Sequence, residues 1–338
     1  MRFNPRQKIY LVATTGALGD TVATFPTLKI LTERGHIEKL FVDSRYIDLY
    51  HLFFPKEILV NLQDAMKMVP ANEITPNVPR DAIDPTTGNA HYLDYPLNPN
   101  LPVVKTLQPL PTSIHSHLVD CFSLTMTDAI LKENMKDYPK VDASKLPLNP
   151  LSDKAYAVVA YGSTTEHRKM LPEAFDAIVA QLKSNGLEVV LLGKRDHSLN
   201  CQGTMTKPTF EGVSFDDCIN LIDQTTFPEA LSIINGAEIV VGLDNGLIHL
   251  AATTDVPIVV GYTTVDPYYR LPYRHEEKGW NCFVVEPTSE CCYCQTEHFC
   301  AYGISFLRCA TTTKECMYSL LPKLWTDQIE LALKHRLD

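Results

Sequence analysis

Val240-Val241-Gly242-Leu243-Asp244-Asn245-Gly246-Leu247-Ile248-His249-Leu250-Ala251-Ala252 passes from an apolar run through a short polar turn into a second apolar run, and that order decides the reading of the fold. Residues 238–242 read as a buried strand, 244–246 as a turn and 247–253 as the start of a helix. The first amides of a helix lack partners within it and its dipole favours negative charge there, so such a turn suits a phosphate. Residues 257–261 supply a second strand at once, with Thr263 and Thr264 at its exit. Ligands of open parallel sheets sit outside the carboxyl ends of the strands, so two successive exits on one crevice point to a nucleotide site. An ordinary buried βαβ unit has the same local pattern, and these residues alone leave both readings open.

Outward from that unit, the second half alternates strands over 156–160, 187–192 and 217–222 with helices over 172–184 and 228–235. The first half opens the same way. Residues 9–14 read as a strand, Gly16 and Gly19 lie in a loop that ends at Asp20, and 24–34 carries apolar residues at helical spacing with Gly35 as its stop. A strand over 39–43 and a helix over 46–54 continue the alternation. Eight prolines from Pro76 to Pro111 then break the rhythm, so residues 74–112 read as extended loop. Helix resumes over 117–134, residues 146–150 form a linker, and a last helix covers 321–335. Such alternation implies parallel sheets with helices on both faces. A chain of 338 residues exceeds what one core usually serves, so it divides into domains of residues 1–150 and 151–320 and a C-terminal segment, 321–338.

Hydrophobic and charged fractions of 45% and 21% are ordinary for a globular protein. No apolar run is long enough to span a bilayer, and the run at 9–14 is too short for a signal-peptide core, so the sequence places the protein in the cytoplasm. A formal net charge of -10 speaks against a protein whose main work is gripping nucleic acid.

Asp244-Asn245-Gly246-Leu247-Ile248-His249-Leu250-Ala251-Ala252, followed by Val256-Pro257-Ile258-Val259-Val260 and Asp266-Pro267, resembles the donor-binding signature of glycosyltransferase family nine, the bacterial heptosyltransferases. Gly16-Ala17-Leu18-Gly19-Asp20, with Pro26 and Leu28, is similar to the family's N-terminal glycine loop. Tyr161-Gly162-Ser163-Thr164-Thr165-Glu166-His167-Arg168-Lys169, with Leu171, Pro172 and Phe175, is similar to its phosphate-contacting loop. The likeness is weak over residues 65–150. It implies a GT-B fold, two Rossmann-like doubly wound α/β domains facing across a cleft, with the last helix packed back on the first domain. The first domain would bind the acceptor and the second a nucleoside-diphosphate sugar, with inverting transfer to a hydroxyl.

In such a transfer negative charge builds on the departing diphosphate, so cations and amides should face it. Lys169, with Arg168 beside it, is the first choice; the backbone amides around Asn245, Gly246 and Leu247 are the second, and Thr263 and Thr264 complete the shell. Asp20 resembles the family's general base, which takes the acceptor proton; the competing reading is an N-cap for the following helix. Asp244 is assigned to donor hydroxyls or to the turn itself, and His249, in the same donor loop, to a packed and hydrogen-bonded position. The basic and aromatic group Tyr268, Tyr269, Arg270, Tyr273, Arg274 and His275 reads as a solvated loop beside the pocket or as a patch facing an anionic acceptor. Asn245 stands where relatives often carry Thr or Ser, residues 167–170 lack the aromatic residue that usually follows the lysine, and 261–267 departs from the usual Gly-Pro-Thr. These departures fall at the donor pocket and leave ADP-, UDP- and GDP-sugars open.

Of ten cysteines, six crowd late in the chain, at Cys291, Cys292, Cys294, Cys300, Cys309 and Cys316. In a cytoplasmic protein such a group reads as metal-binding rather than disulfide-bonded. Cys291, Cys294 and Cys300 with Cys309 or Cys316 are the candidate ligands of a structural zinc, reduced thiols being the alternative. The chemistry itself requires no metal. The leading function is sugar transfer to a saccharide hydroxyl in surface-glycan assembly. Transfer to a hydroxymethylated base of bacteriophage DNA, and non-catalytic binding of a nucleotide sugar, are the alternatives.

Overall fold

The computed structural model describes residues 9–13, 18–61, 64, 104–106, 117–127, 130–162, 168–194, 213–294 and 313–335. Two parallel sheets organise them. The first contains β1 (Ile9–Ala13), β2 (Ile37–Val42), β3 (Leu59–Asn61) and β4 (Val104–Thr106) in the order β3-β2-β1-β4. The second contains β5 (Tyr156–Ala160), β6 (Glu188–Leu191), β7 (Ile219–Asn220), β8 (Ile239–Leu243), β9 (Ile258–Gly261) and β12 (Cys282–Val285) in the order β12-β9-β8-β5-β6-β7. A small antiparallel hairpin, β10 (Tyr273–Arg274) and β11 (Glu277–Lys278), lies between the last two of these strands along the chain. Both sheets are doubly wound: strand order reverses between β1 and β4 in the first and between β5 and β8 in the second. β5, β8 and β9 are buried along their whole length, as expected of parallel strands covered on both faces.

In chain order the helices are α1 (Leu18–Ala23), α2 (Phe25–Glu33), α3 (Ile47–Phe53), α4 (Leu118–Thr127), α5 (Pro172–Ser184), α6 (Phe227–Asn235), α7 (Gly246–Ala251), α8 (Glu315–Tyr318) and α9 (Pro322–His335). Gly35 closes α2 at φ +69°, with its own N–H donating to Thr32 O and that of His36 to Leu31 O. That pair of bonds satisfies the last carbonyls and turns the chain into β2. At the other end of the motif, α6 opens on a capping box between Thr226 and Glu229.

Four sequence expectations change. β4 lies inside the proline-rich stretch: Pro102 and Pro109 flank Val104–Thr106 rather than interrupt it, so its amides can pair with β1. The rest of that stretch, and Gly16, lie outside the described residues. The helix foreseen over 117–134 is shorter, because α4 gives way to a single turn at Glu133–Met135 and the chain then runs onto the second sheet's layer. Tyr138 and Val141 donate their amides to Tyr273 O and Thr253 O at 2.9 and 2.8 Å, so the crossing begins ahead of residues 146–150. The strand foreseen over 217–222 shrinks to Ile219–Asn220 at the sheet edge. Finally, among the described residues α9 packs on the second half rather than the first. Its stripe of Trp325, Ile329 and Ala332 is buried against the second sheet, and Gly261 makes room for the indole, since a Cβ there would stand 2.6 Å from it.

A single apolar cluster runs across both halves, joining Val22, Phe25 and Leu28 to Leu231, Ile248 and Leu250. Tyr46 stacks on Phe227 with ring centroids 5.3 Å apart across the same junction. Among the described residues no helix is long and apolar enough to cross a membrane.

Candidate functional site

The reversal between β5 and β8 is held by one side chain. Asn245 caps α7, its Oδ1 accepting from the amides of Leu247 at 2.9 Å and Ile248 at 3.3 Å, while its Nδ2 donates to Ala160 O at 3.2 Å and Gly162 O at 3.3 Å. A Thr or Ser hydroxyl can make the cap but has no second donor pair for the neighbouring strand exit. The Leu247 amide, foreseen as a phosphate donor, is engaged by this cap.

Asp244, just before Asn245, is 5% exposed. Arg168 Nη1 lies 3.3 Å from its Oδ2 and 3.3 Å from its carbonyl oxygen, and His249 Nε2 lies 3.6 Å from Oδ1. Burial works against the charge of Asp244, but the His249 contact and the charges of Arg168 and Arg270 outweigh it and hold the carboxyl well below its ordinary range. Asp244 is therefore an ionised acceptor.

From the first half, α1 meets this loop backbone to backbone. A Cβ on Gly246 would stand 2.7 Å from Leu18 Cβ and 3.1 Å from the Gly19 nitrogen, and one on Gly19 would stand 3.0 Å from His249 Cδ2. The contact carries Asp20, the next residue, into the field of Arg270, His249, Arg168 and Asp244. Burial pushes the Asp20 carboxyl up, against the downward pull of Arg270 and Arg168. A carboxylate of raised proton affinity is suited to accept a proton near neutral pH. Asp20 lies inside the first turn of α1, and Thr24 is the residue that precedes α2, so the N-cap reading of Asp20 does not hold.

Thr263 and Thr264 follow β9 and are buried; among the described residues Thr263 Oγ1 has no hydrogen-bond partner, while its carbonyl accepts from the Tyr293 amide at 2.9 Å. Lys169 is half-buried beside Arg168. The basic and aromatic group divides. Arg274 is 3% exposed and donates to Thr254 O, Val256 O, Trp280 O and Asn281 O, so it braces the fold. Tyr268 is exposed, with the Lys278 ammonium 3.0 Å from its ring centroid. Arg270 is the member whose charge reaches Asp20 and Asp244. Arg270 and Tyr138, whose hydroxyl lies 3.1 Å from His249 Nδ1, are the site residues the sequence reading missed as such. Both come from segments whose meeting with α7 has no local signature.

Among the described residues, which include Cys291, Cys294 and Cys316, no three His, Cys, Asp or Glu side chains are grouped to hold a metal. Cys300 and Cys309 lie outside the described residues.

A family model described as Glycosyltransferase family 9 (heptosyltransferase) matches residues 117–295. Lipopolysaccharide heptosyltransferase 2 of Salmonella typhimurium (strain LT2) is 29% identical over 102 residues, which span 30% of this chain and only 28% of that protein. Among solved structures, the iron-containing dodecameric glycosyltransferase TibC of enterotoxigenic E. coli H10407 superposes with a TM-score of 0.64 at 16% identity, covering 99% of this chain and 80% of its own. TibC has also been solved in complex with ADP-D-β-D-heptose. E. coli ADP-heptose LPS heptosyltransferase II superposes with a TM-score of 0.62 at 12% identity, over 97% of this chain and 99% of its own. The shared architecture is GT-B, with the two doubly wound sheets described above.

Proposed function

The chain belongs to glycosyltransferase family 9, and on that premise we propose that it transfers a sugar from a nucleoside-diphosphate sugar to an acceptor hydroxyl where α1 meets the carboxyl ends of β5 and β8. The observation that carries the reading is the meeting of Asp20, from the first half, with Asp244, His249, Arg168 and Arg270 of the second, made possible by glycines at 19 and 246. In this mechanism Asp20 takes the acceptor's hydroxyl proton as the oxygen attacks the anomeric carbon. The bond from that carbon to the diphosphate breaks, and the nucleoside diphosphate leaves with the electron pair. Direct displacement inverts the anomeric centre. Arg168, Lys169 and the hydroxyls of Thr263 and Thr264 face the growing diphosphate charge, the orphaned Thr263 Oγ1 being a donor ready for a ligand oxygen. Asp244 accepts from donor hydroxyls.

An ADP-linked heptose is the proposed donor, supported by the TibC complex, and a saccharide hydroxyl of a surface glycan the proposed acceptor. The test is thermal unfolding against ADP-, UDP-, GDP- and CDP-sugars, followed by kinetics of Asp20→Asn. The matching donor should raise the melting temperature, because it binds only the folded chain. Asp20→Asn should bind the donor normally while kcat falls by about 10²–10⁴. Undiminished turnover in that variant would remove Asp20 from the mechanism.

We further propose that the cysteine segment holds a structural metal through Cys291, Cys294 and Cys300 with Cys309 or Cys316. Thiolates suit zinc or iron, and the iron-containing relative supports the second as much as the sequence supports the first. Metal analysis of the purified chain should find about one atom per molecule, lost in Cys291→Ser together with thermal stability; an equal metal content in that variant would refute the ligand set.

A further inference from the structure

Tyr138 lies on the extended segment that crosses from the first half to the second, and it is buried at the centre of the site. Tyr273 O fixes its amide at 2.9 Å, its ring stacks on His249 with centroids 6.1 Å apart, and its hydroxyl lies 3.1 Å from His249 Nδ1. The other ring nitrogen, Nε2, faces Asp244 Oδ1 at 3.6 Å. Little slack surrounds the ring, since even a methyl group on Gly19 would stand 3.0 Å from Cδ2.

With His249 as a neutral ring, these contacts place the protons. Asp244 is ionised and only accepts, so Nε2 carries the hydrogen. The lone pair of a neutral ring is then on Nδ1, and Tyr138 must donate to it. Burial keeps that phenol protonated, holding it far above its ordinary value. We propose that Tyr138 is a positioning residue: it locks His249 as the Nε2–H tautomer, so that the ring braces Asp244 for the donor. This role rests on the reading of the crevice as the donor site. It also joins the crossing segment to the donor loop, so that the connection between the halves and the donor carboxylate are linked through His249.

Two measurements on the full chain test it. Long-range ¹⁵N–¹H spectra of the histidines in ligand-free protein, with His249 identified by its absence in His249→Gln, should show a protonated Nε2 and a bare, hydrogen-bonded Nδ1. A protonated Nδ1 overturns the proposal whether or not any activity is found. Tyr138→Phe keeps the ring and removes the hydroxyl; the Nδ1 resonance should then move toward that of a free lone pair, and Kd for ADP should rise about five- to tenfold, the loss of one buried hydrogen bond, with a smaller change in kcat. A folded Tyr138→Phe protein with an unmoved resonance and an unchanged Kd overturns it as well. Wild-type protein that binds no nucleoside diphosphate would remove the donor-site reading instead, and the two failures are distinct because the tautomer is read without ligand.

Discussion

Gly246 has no space for a methyl group, and its nearest obstacles are Leu18 Cβ at 2.7 Å and the Gly19 nitrogen at 3.1 Å, which belong to the other half. Alanine is the better helix former by about 1 kcal/mol, so local preference alone would make Gly246→Ala stabilising. Overpacking against backbone costs about 1–3 kcal/mol and reverses the sign. Gly246→Ala should therefore lower the melting temperature and, by pushing Asp20 away from Asp244, cut kcat at least about tenfold, since small misplacements at a reacting centre are costly. Gly19→Ala meets only the edge of the His249 ring, at 3.0 Å, and should be the milder of the two in both assays. Asp20, Asp244 and the two glycines were legible in the sequence because each sits in a short motif whose chemistry demands that residue type. Arg270 was visible only as one cation among aromatic neighbours, and Tyr138 not at all, because it lies more than a hundred residues before Asp244 and only the fold brings the two together.

At the scale of elements, α7 depends on Asn245 for both its cap and its attachment to β5. Asn245→Ala removes the acceptor of two helix amides, which by itself costs about 1 kcal/mol, and leaves the Ala160 and Gly162 carbonyls without their donor. Urea unfolding should show a loss of about 2 kcal/mol, whereas Asn245→Ser, which restores the cap alone, should recover roughly half of it; equal stability of the two variants would mean that the strand-exit bonds contribute nothing. Elements were legible where period and boundary agreed, as for β5, α5, β8 and β9. They were misread where a long-range contact decided the outcome. α4 stops short because Lys136 is drawn inward to Asp120 at 2.9 Å and the chain beyond it must reach Tyr273 and Thr253. β4 exists because β1 has an open edge to pair, a fact about the sheet rather than about Val104–Thr106. The apolar stripe of α9 was plain in the sequence, but the surface that receives it is shaped by Gly261, far away along the chain.

At the scale of the whole molecule, His117 fastens the start of α4 to the second half, and it does so only as a neutral ring. Its Nδ1 accepts from the Val119 amide at 3.2 Å, which leaves Nε2–H to donate to Leu271 O at 2.8 Å, one residue from Arg270. Burial, with the charges of Arg270 and Lys136 adding to it and the Leu271 bond opposing, pushes the ring's pKa down from 6.5 to about 3. The unfolded chain therefore takes up a proton that the folded chain refuses. The stability this histidine contributes is complete above pH 6.5 and is lost as pH falls from there toward about 3. Between pH 7.5 and 5.5 the loss from His117 alone should be about 1.4 kcal/mol, because the unfolded ring goes from about one-tenth to about nine-tenths protonated while the folded ring stays neutral. The carboxylates are nearly all ionised across that window, and the other histidines are common to wild type and variant. Urea unfolding of wild type and His117→Gln at the two pH values isolates the effect: the wild type should lose about 1.4 kcal/mol more than the variant on acidification. An equal loss in both proteins would mean that His117 is free to protonate in the fold, and that the junction between the halves is looser than its hydrogen bonds imply.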